Sequence, residues 1–115
     1  MQNRLTKHDR FAVSVNWQID EETFPQLNEY SSERLEGFKN GDWTFVSCRV
    51  AITLDDHTLG SIGLYGVESN CGDEYVQEVE TMLITEALAD AQKHIDHVKA
   101  IPTEQLFLIS LPSVA

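Results

Sequence analysis

The sequence predicts an α+β domain built on a four-stranded, mostly antiparallel sheet, and three patterns carry that expectation. Phe11, Val13, Val15, Trp17 and Ile19 alternate with Ala12, Ser14, Asn16 and Gln18, the period of two that marks a strand with one buried face. Val46, Cys48, Val50, Ile52 and Leu54 alternate in the same way with Phe45, Ser47, Arg49, Ala51 and Thr53. Between Val76 and Val98 the period changes. Val79, Leu83, Ile84, Ala87, Leu88, Ala91 and Ile95 recur at three- and four-residue spacing and form the apolar stripe of a helix packed on a sheet.

Taken in order, the first strand runs from Phe11 to Ile19. The acids and early proline of Asp20-Glu21-Glu22-Thr23-Phe24-Pro25 suit a first helical turn, and Phe24, Leu27, Leu35 and Phe38 follow at helical spacing. A helix is therefore expected from about Glu22 to Lys39, weakened in its middle by Ser31-Ser32 and closed by Asn40-Gly41. Trp43–Leu54 is the second strand, Asp55-Asp56-His57-Thr58 a hairpin turn, and Leu59–Val67 the returning strand. Gly60, Gly63 and Gly66 interrupt that strand, which predicts a bulge or the close approach of another backbone. Asp73 caps the long helix, Pro102 ends it, and Gln105–Leu111 reads as a last strand buried on both faces. The expected order is βαββαβ, with both helices on one face of the sheet in a ferredoxin-like arrangement. The chain reads as a single domain over residues 1–115, with 1–9 and 112–115 frayed.

Composition narrows the function classes. With 42% hydrophobic and 23% charged residues the chain is globular in character, and no apolar run approaches the roughly 20 residues that span a bilayer. The polar N-terminus and the two cysteines fit a cytoplasmic protein. Nineteen Asp and Glu against eight Lys and Arg give a net charge of −11. The excess is local: Asp20, Glu21, Glu22, Glu29, Glu33, Glu36 and Asp42 face only Arg34 and Lys39 along the chain, and from Asp55 to Asp96 the sole base is Lys93. Such a field repels nucleic acid and anionic membranes and speeds encounter with basic protein surfaces, so direct nucleic-acid binding and a membrane partner are not expected.

Motifs for chemistry are sparse. His94 and His97, with Asp90 one turn earlier, offer too few convergent ligands for a metal centre, and a solvated helix end accounts for them. Cys71 lies before a helix start, where a thiol pKa falls, but Asp73 and Glu74 act against it; Cys48 belongs to the apolar row of a strand. The glycines of Gly60–Gly66 lack the Lys-Ser/Thr ending of a phosphate loop. Glu80 projects into the apolar stripe of the long helix and must be paired, with Arg49 as the expected partner in a structural ion pair. An acid–base pair of Glu80 with Glu68 is the catalytic alternative. No cofactor is expected.

Gly41-Asp42-Trp43-Thr44-Phe45-Val46, Arg49-Val50, the run Leu59–Ser69, Asp73-Glu74-Tyr75 and Glu78-Val79 together resemble a group of small uncharacterised acidic proteins encoded by phages and prophages. The resemblance covers roughly the middle half of the chain, and its motifs are short. It implies a setting in which small acidic proteins bind and disable host defence machinery, as anti-CRISPR and anti-restriction proteins do, and it supplies no catalytic residues. The expectation is a non-enzymatic binding protein that occupies a basic nucleic-acid-binding surface of a host defence complex with Glu29, Glu33, Glu36, Asp42, Glu68, Asp73, Glu74 and Glu78. The alternative is an assembly or regulatory module that pairs with itself, as a homodimer, or with another phage protein through an edge strand or Trp17, Trp43 and Tyr65.

Overall fold

A computed structural model describes residues 1–100. The alternating segments form a four-stranded antiparallel sheet in the order β1 (Arg4–His8), β2 (Phe11–Ile19), β3 (Phe45–Leu54) and β4 (His57–Glu68). Two helices complete the domain, α1 (Ser32–Lys39) and α2 (Asp73–Ala100), so the chain order is ββαββα. The expected βαββαβ order therefore does not describe these residues; its last strand and the frayed 112–115 segment lie outside them.

The first difference is at the N-terminus, where a frayed segment was expected and Arg4–His8 pairs with β2 in the register Arg4↔Val15 to His8↔Phe11. Its two rows, Arg4 and Thr6 against Leu5 and Lys7, show no apolar alternation, so the strand is held by its partners and not by its own hydrophobicity. Asp9 takes a left-handed conformation (φ 58°) in the connecting turn. The second difference is the length of α1. The Asp20 carboxylate accepts hydrogen bonds from the Glu22 N–H (3.1 Å), the Thr23 hydroxyl (2.6 Å) and the Gly66 N–H (3.0 Å), a local network that competes with helix. The helix starts at Ser32 because Ser31 is its N-cap, its hydroxyl accepting from the Arg34 N–H at 3.2 Å.

β3 and β4 join through a two-residue turn in which Asp55 and Asp56 both have positive φ (50° and 67°), the backbone that matches the twist of a hairpin. β4 carries two register shifts, one between Ile52↔Gly60 and Thr53↔Thr58, the other between Val46↔Val67 and Cys48↔Leu64. At the second, Gly66 adopts φ +72° and reverses the strand's alternation, so that Val67 is buried although Tyr65 is exposed. The three-glycine strand thus contains both a bulge and a close approach: a Cβ at Gly60 would stand 2.6 Å from the Ala87 carbonyl oxygen of α2.

The core lies between the sheet and α2. Val13, Val15 and Trp17 of β2 and Cys48, Val50 and Ile52 of β3 pack with Val79, Leu83, Ala87, Ala91 and Ile95. The small residues Ala87 and Ala91 are fully buried and permit the helix to reach Gly60. α1 does not share that face. It packs through Phe38 on Trp43 and Phe45, and Phe45 alternates with Val46 and Cys48, which places α1 on the side of β3 away from α2. Beyond α1 that second face is open and polar, lined by Asn16, Gln18, Arg49, Ser61 and Tyr65, all exposed. No described helix is long and apolar enough to cross a membrane.

Candidate functional site

Antiparallel connections alternate between the two ends of a sheet. Here the β2–β3 connection and the start of α2 lie at the same end; the connection carries Asp20, Glu21, Glu22, Glu29, Glu33, Glu36 and Asp42, and α2 opens with Asp73 and Glu74. Backbone bonds tie them together. The Asp20 N–H donates to the Phe45 carbonyl at 2.9 Å, the Ser69 N–H to the Thr44 carbonyl at 2.8 Å, and the Thr44 N–H to the Ser69 hydroxyl at 2.9 Å. An aromatic cluster stiffens the assembly: Tyr30 stacks on Trp43 at 5.6 Å, and Phe38, Phe45 and Trp43 meet with centroids 5.2–6.0 Å apart. The Trp43 indole N–H donates to the Arg34 carbonyl (2.9 Å), and the Arg34 guanidinium lies over the indole ring at 4.4 Å.

From this scaffold Glu29, Glu33, Glu36, Asp42, Asp73, Glu74 and Glu78 extend into solvent. Asp73 and Glu74 occupy the first turn of α2, where the helix dipole favours negative charge. Glu68 departs from the expected set, because it is half-buried and forms an ion pair with Arg34. That pair takes up one of the two cations of the acidic segment and leaves exposed Lys39 as the other. The opposite end of the sheet is mixed in sign, with Lys7, Asp9, Arg10, Asp55 and Asp56 around the two hairpin turns.

Glu80 is buried as the helical stripe requires, but its partner is Arg4 and not Arg49. Arg4 donates from both terminal nitrogens to the two carboxylate oxygens at 3.0 Å, and the Trp17 indole N–H donates to Glu80 at 2.6 Å. Burial pushes the Glu80 pKa up, while the bonds from Arg4 and then Trp17 outweigh it and hold the carboxyl below its ordinary value. The Arg4 guanidinium is in turn raised by its bond to Glu80. The register explains the exchange of partners. Arg4 stands opposite Val15 on the α2 side of the sheet, whereas Arg49 has the parity of Ser47 and Ala51 on the other side. There its guanidinium lies over Gly63 and donates to the Ser61 and Tyr65 hydroxyls, each at 3.0 Å. Glu68 and Glu80 are engaged by different arginines and do not form the acid–base pair considered from the sequence.

Cys48 is fully buried, and desolvation, followed by the nearby Glu80 charge, pushes its thiol up to about 11; Cys71 is half-buried, and both are free. His94 and His97 are exposed on α2, and among the described residues no three His, Cys, Asp or Glu side chains converge as metal ligands would.

Sequence reasoning missed the role of Asp20, a buried carboxylate whose pKa is lowered, first by the Thr23 hydroxyl, against the opposing effect of burial. The signal was present as an Asp followed three residues later by Thr, a pattern that fits a side-chain-capped turn as well as a helix start. It also missed that Phe24 and Leu27, counted toward a helical stripe, stand 69% and 81% exposed. Comparison of the chain with protein-family models, with curated proteins and with solved structures finds no match.

Proposed function

We propose that the chain is a non-enzymatic binding protein whose acidic end occupies a basic nucleic-acid-binding surface of a host defence nucleoprotein, in the manner of an anti-CRISPR or anti-restriction protein. The observation that supports this reading is the gathering of exposed carboxylates from the β2–β3 connection and the start of α2 at one end of the sheet, on a framework of aromatic contacts and ion pairing. A field of this sign speeds encounter with a cationic groove and weakens as salt screens it over about 8–10 Å. The defence setting comes from the phage resemblance, and with it a host-cell cytoplasmic location; the mechanism needs no cofactor, membrane or direct contact with nucleic acid.

The test is protection of DNA from cleavage by purified Cas effector and restriction complexes as the protein is titrated. The triple variant Glu33→Lys, Glu36→Lys, Asp42→Lys should lose protection, while Asp55→Lys with Asp56→Lys at the other end should keep it. Equal behaviour of the two variants, or no protection by the native chain at low salt, refutes the reading.

The open sheet face supports a second reading, a phage assembly or regulatory module. Of the aromatic residues expected at that contact, Trp17 and Trp43 are buried and Tyr65 is exposed, beside the exposed Arg49, and β4 is a twelve-residue edge strand. Light scattering that shows a defined oligomer, insensitive to reversal of the acidic end, favours this module.

A further inference from the structure

Carboxylates alone would suffice to imitate a phosphate backbone, but the acidic end presents something more. The connection from Asp20 to Ser31 leaves Phe24 and Leu27 69% and 81% exposed, and the acids around them in the chain, Glu21, Glu22, Glu29 and Glu33, are exposed as well. Apolar side chains this open are ordinary when scattered on a flexible loop. This connection is fixed at several points. Asp20 is bonded to Thr23 and to Gly66 of β4, Phe24 meets the edge of Phe38 at 6.3 Å, and Tyr30 is stacked on Trp43. Two exposed apolar side chains on a tethered connection, flanked along the chain by exposed carboxylates, supply the two components of a protein-docking surface, where a few anchors supply affinity and surrounding charges supply orientation.

We infer that the Asp20–Ser31 connection docks an amphipathic cationic helix of a partner protein, with Phe24 and Leu27 against its apolar stripe and the flanking glutamates facing its lysines and arginines. The inference rests on the acidic-end reading and specifies its partner. Charge complementarity selects a basic partner, and the two exposed apolar residues select one that carries an apolar stripe beside its cations. A bare nucleic-acid channel, rich in cations but poor in apolar surface, would leave both side chains in water.

Two synthetic peptides test this. One is an 18-residue Leu/Lys helix with an apolar face; the other has the same lysines and helix-forming glutamines in place of the leucines. Titration calorimetry at low salt should show the amphipathic peptide binding at least about tenfold more tightly, since tenfold corresponds to the burial of only a small apolar area. Phe24→Ser with Leu27→Ser should abolish that preference and leave the weaker charge-driven binding. Leu27→Ser alone, at the more exposed site, should reduce the preference without touching the Phe24–Phe38 contact. Near-ultraviolet circular dichroism of each variant checks that the aromatic cluster is intact. Equal binding of both peptides by the native chain, or a preference that survives in the double variant, overturns the inference while leaving the acidic-end reading standing. If neither peptide binds at low salt, both fall.

Discussion

Replacing Glu80 by alanine should be among the more damaging single changes outside the apolar core. The carboxylate accepts from both terminal nitrogens of Arg4 and from the indole of Trp17, and its side chain is only 11% exposed. Truncation leaves the buried Trp17 N–H without an acceptor, at about 1–3 kcal/mol. The ion-pair share adds about 0.5–1 kcal/mol, because the Arg4 side chain is 37% exposed and can return to water. Together these give about 1.5–4 kcal/mol, on the order of 5–20 °C in Tm for a domain of this size. Urea denaturation followed by tryptophan fluorescence measures it, and amide exchange should rise most along β1, which this contact ties to α2. Glu80→Gln isolates the charge. The native pKa of Glu80 lies below its unfolded value, so the ionised form stabilises the fold above the unfolded value of about 4.3 and that contribution is lost as pH falls through the lowered native value. The glutamine variant should therefore lose less stability between pH 5 and pH 3, on the order of those two limits, than the native chain does. A cost below about 0.5 kcal/mol for Glu80→Ala, or identical acid limbs for native and Gln variants, would refute the argument that this carboxylate is a working anchor.

Gly60→Ala should destabilise by about 1–3 kcal/mol, because the added methyl meets the Ala87 carbonyl and α2 must move; at Gly63 the closest atom is the end of the Arg49 side chain at 3.2 Å, with the Cys48 carbonyl at an ordinary 3.4 Å, so Gly63→Ala should cost less, and thermal melts of the two variants should rank them in that order. Ellman's reagent should titrate Cys71 in the native protein and Cys48 only after denaturant is added, since Cys48 is fully buried with its thiol raised to about 11; two rapidly reacting thiols would contradict the packing. Asp20→Ala should speed amide exchange at Glu22 and Gly66, whose N–H groups lose their acceptor, and leave Val13 and Val50 unchanged. Because the Asp20 pKa is lowered in the fold, the same loosening should appear in the native chain as pH falls through that lowered value, and exchange rates at Gly66 that ignore both perturbations would show that the loop is held by other means.

The elements that were legible from sequence are those whose hydrophobic pattern serves one core. β2, β3 and the buried stripe of α2 all face the same interior, so periodicity alone located them. β1 was not legible because its stabilisation comes from across the sheet: the Arg4–Glu80 bonds and the Asn3 side chain, which accepts from the Trp17 N–H at 2.6 Å. α1 was read too long because Phe24 and Leu27 supplied a helical spacing that the structure leaves in solvent, while Asp20 satisfied the local backbone in a competing way. The same limit affected the ion pair. Glu80 was correctly read as buried and charged, since that follows from its own helix. The choice between Arg4 and Arg49 depended on which side of the sheet each faces, and that parity becomes decisive only when the N-terminal strand is in place.

The charge pattern shows why strand connectivity had to be known before its meaning could be read. Along the chain the acids form two separated blocks, one before β3 and one after β4. A parallel arrangement, or an odd number of intervening strands, would have sent those blocks to opposite ends of the sheet. The β3–β4 hairpin instead carries the chain away and back, so both acidic blocks meet where β3 begins and β4 ends, and the Glu68–Arg34 pair joins them there. Repulsion between the blocks must then be offset. The Arg34–Glu68 pair, Lys39, the aromatic contacts around Trp43 and the positive end of the α2 dipole all act in that direction. Concentrating like charge in this way opposes folding, and it is this cost that motivates the proposal of an encounter with a cationic partner.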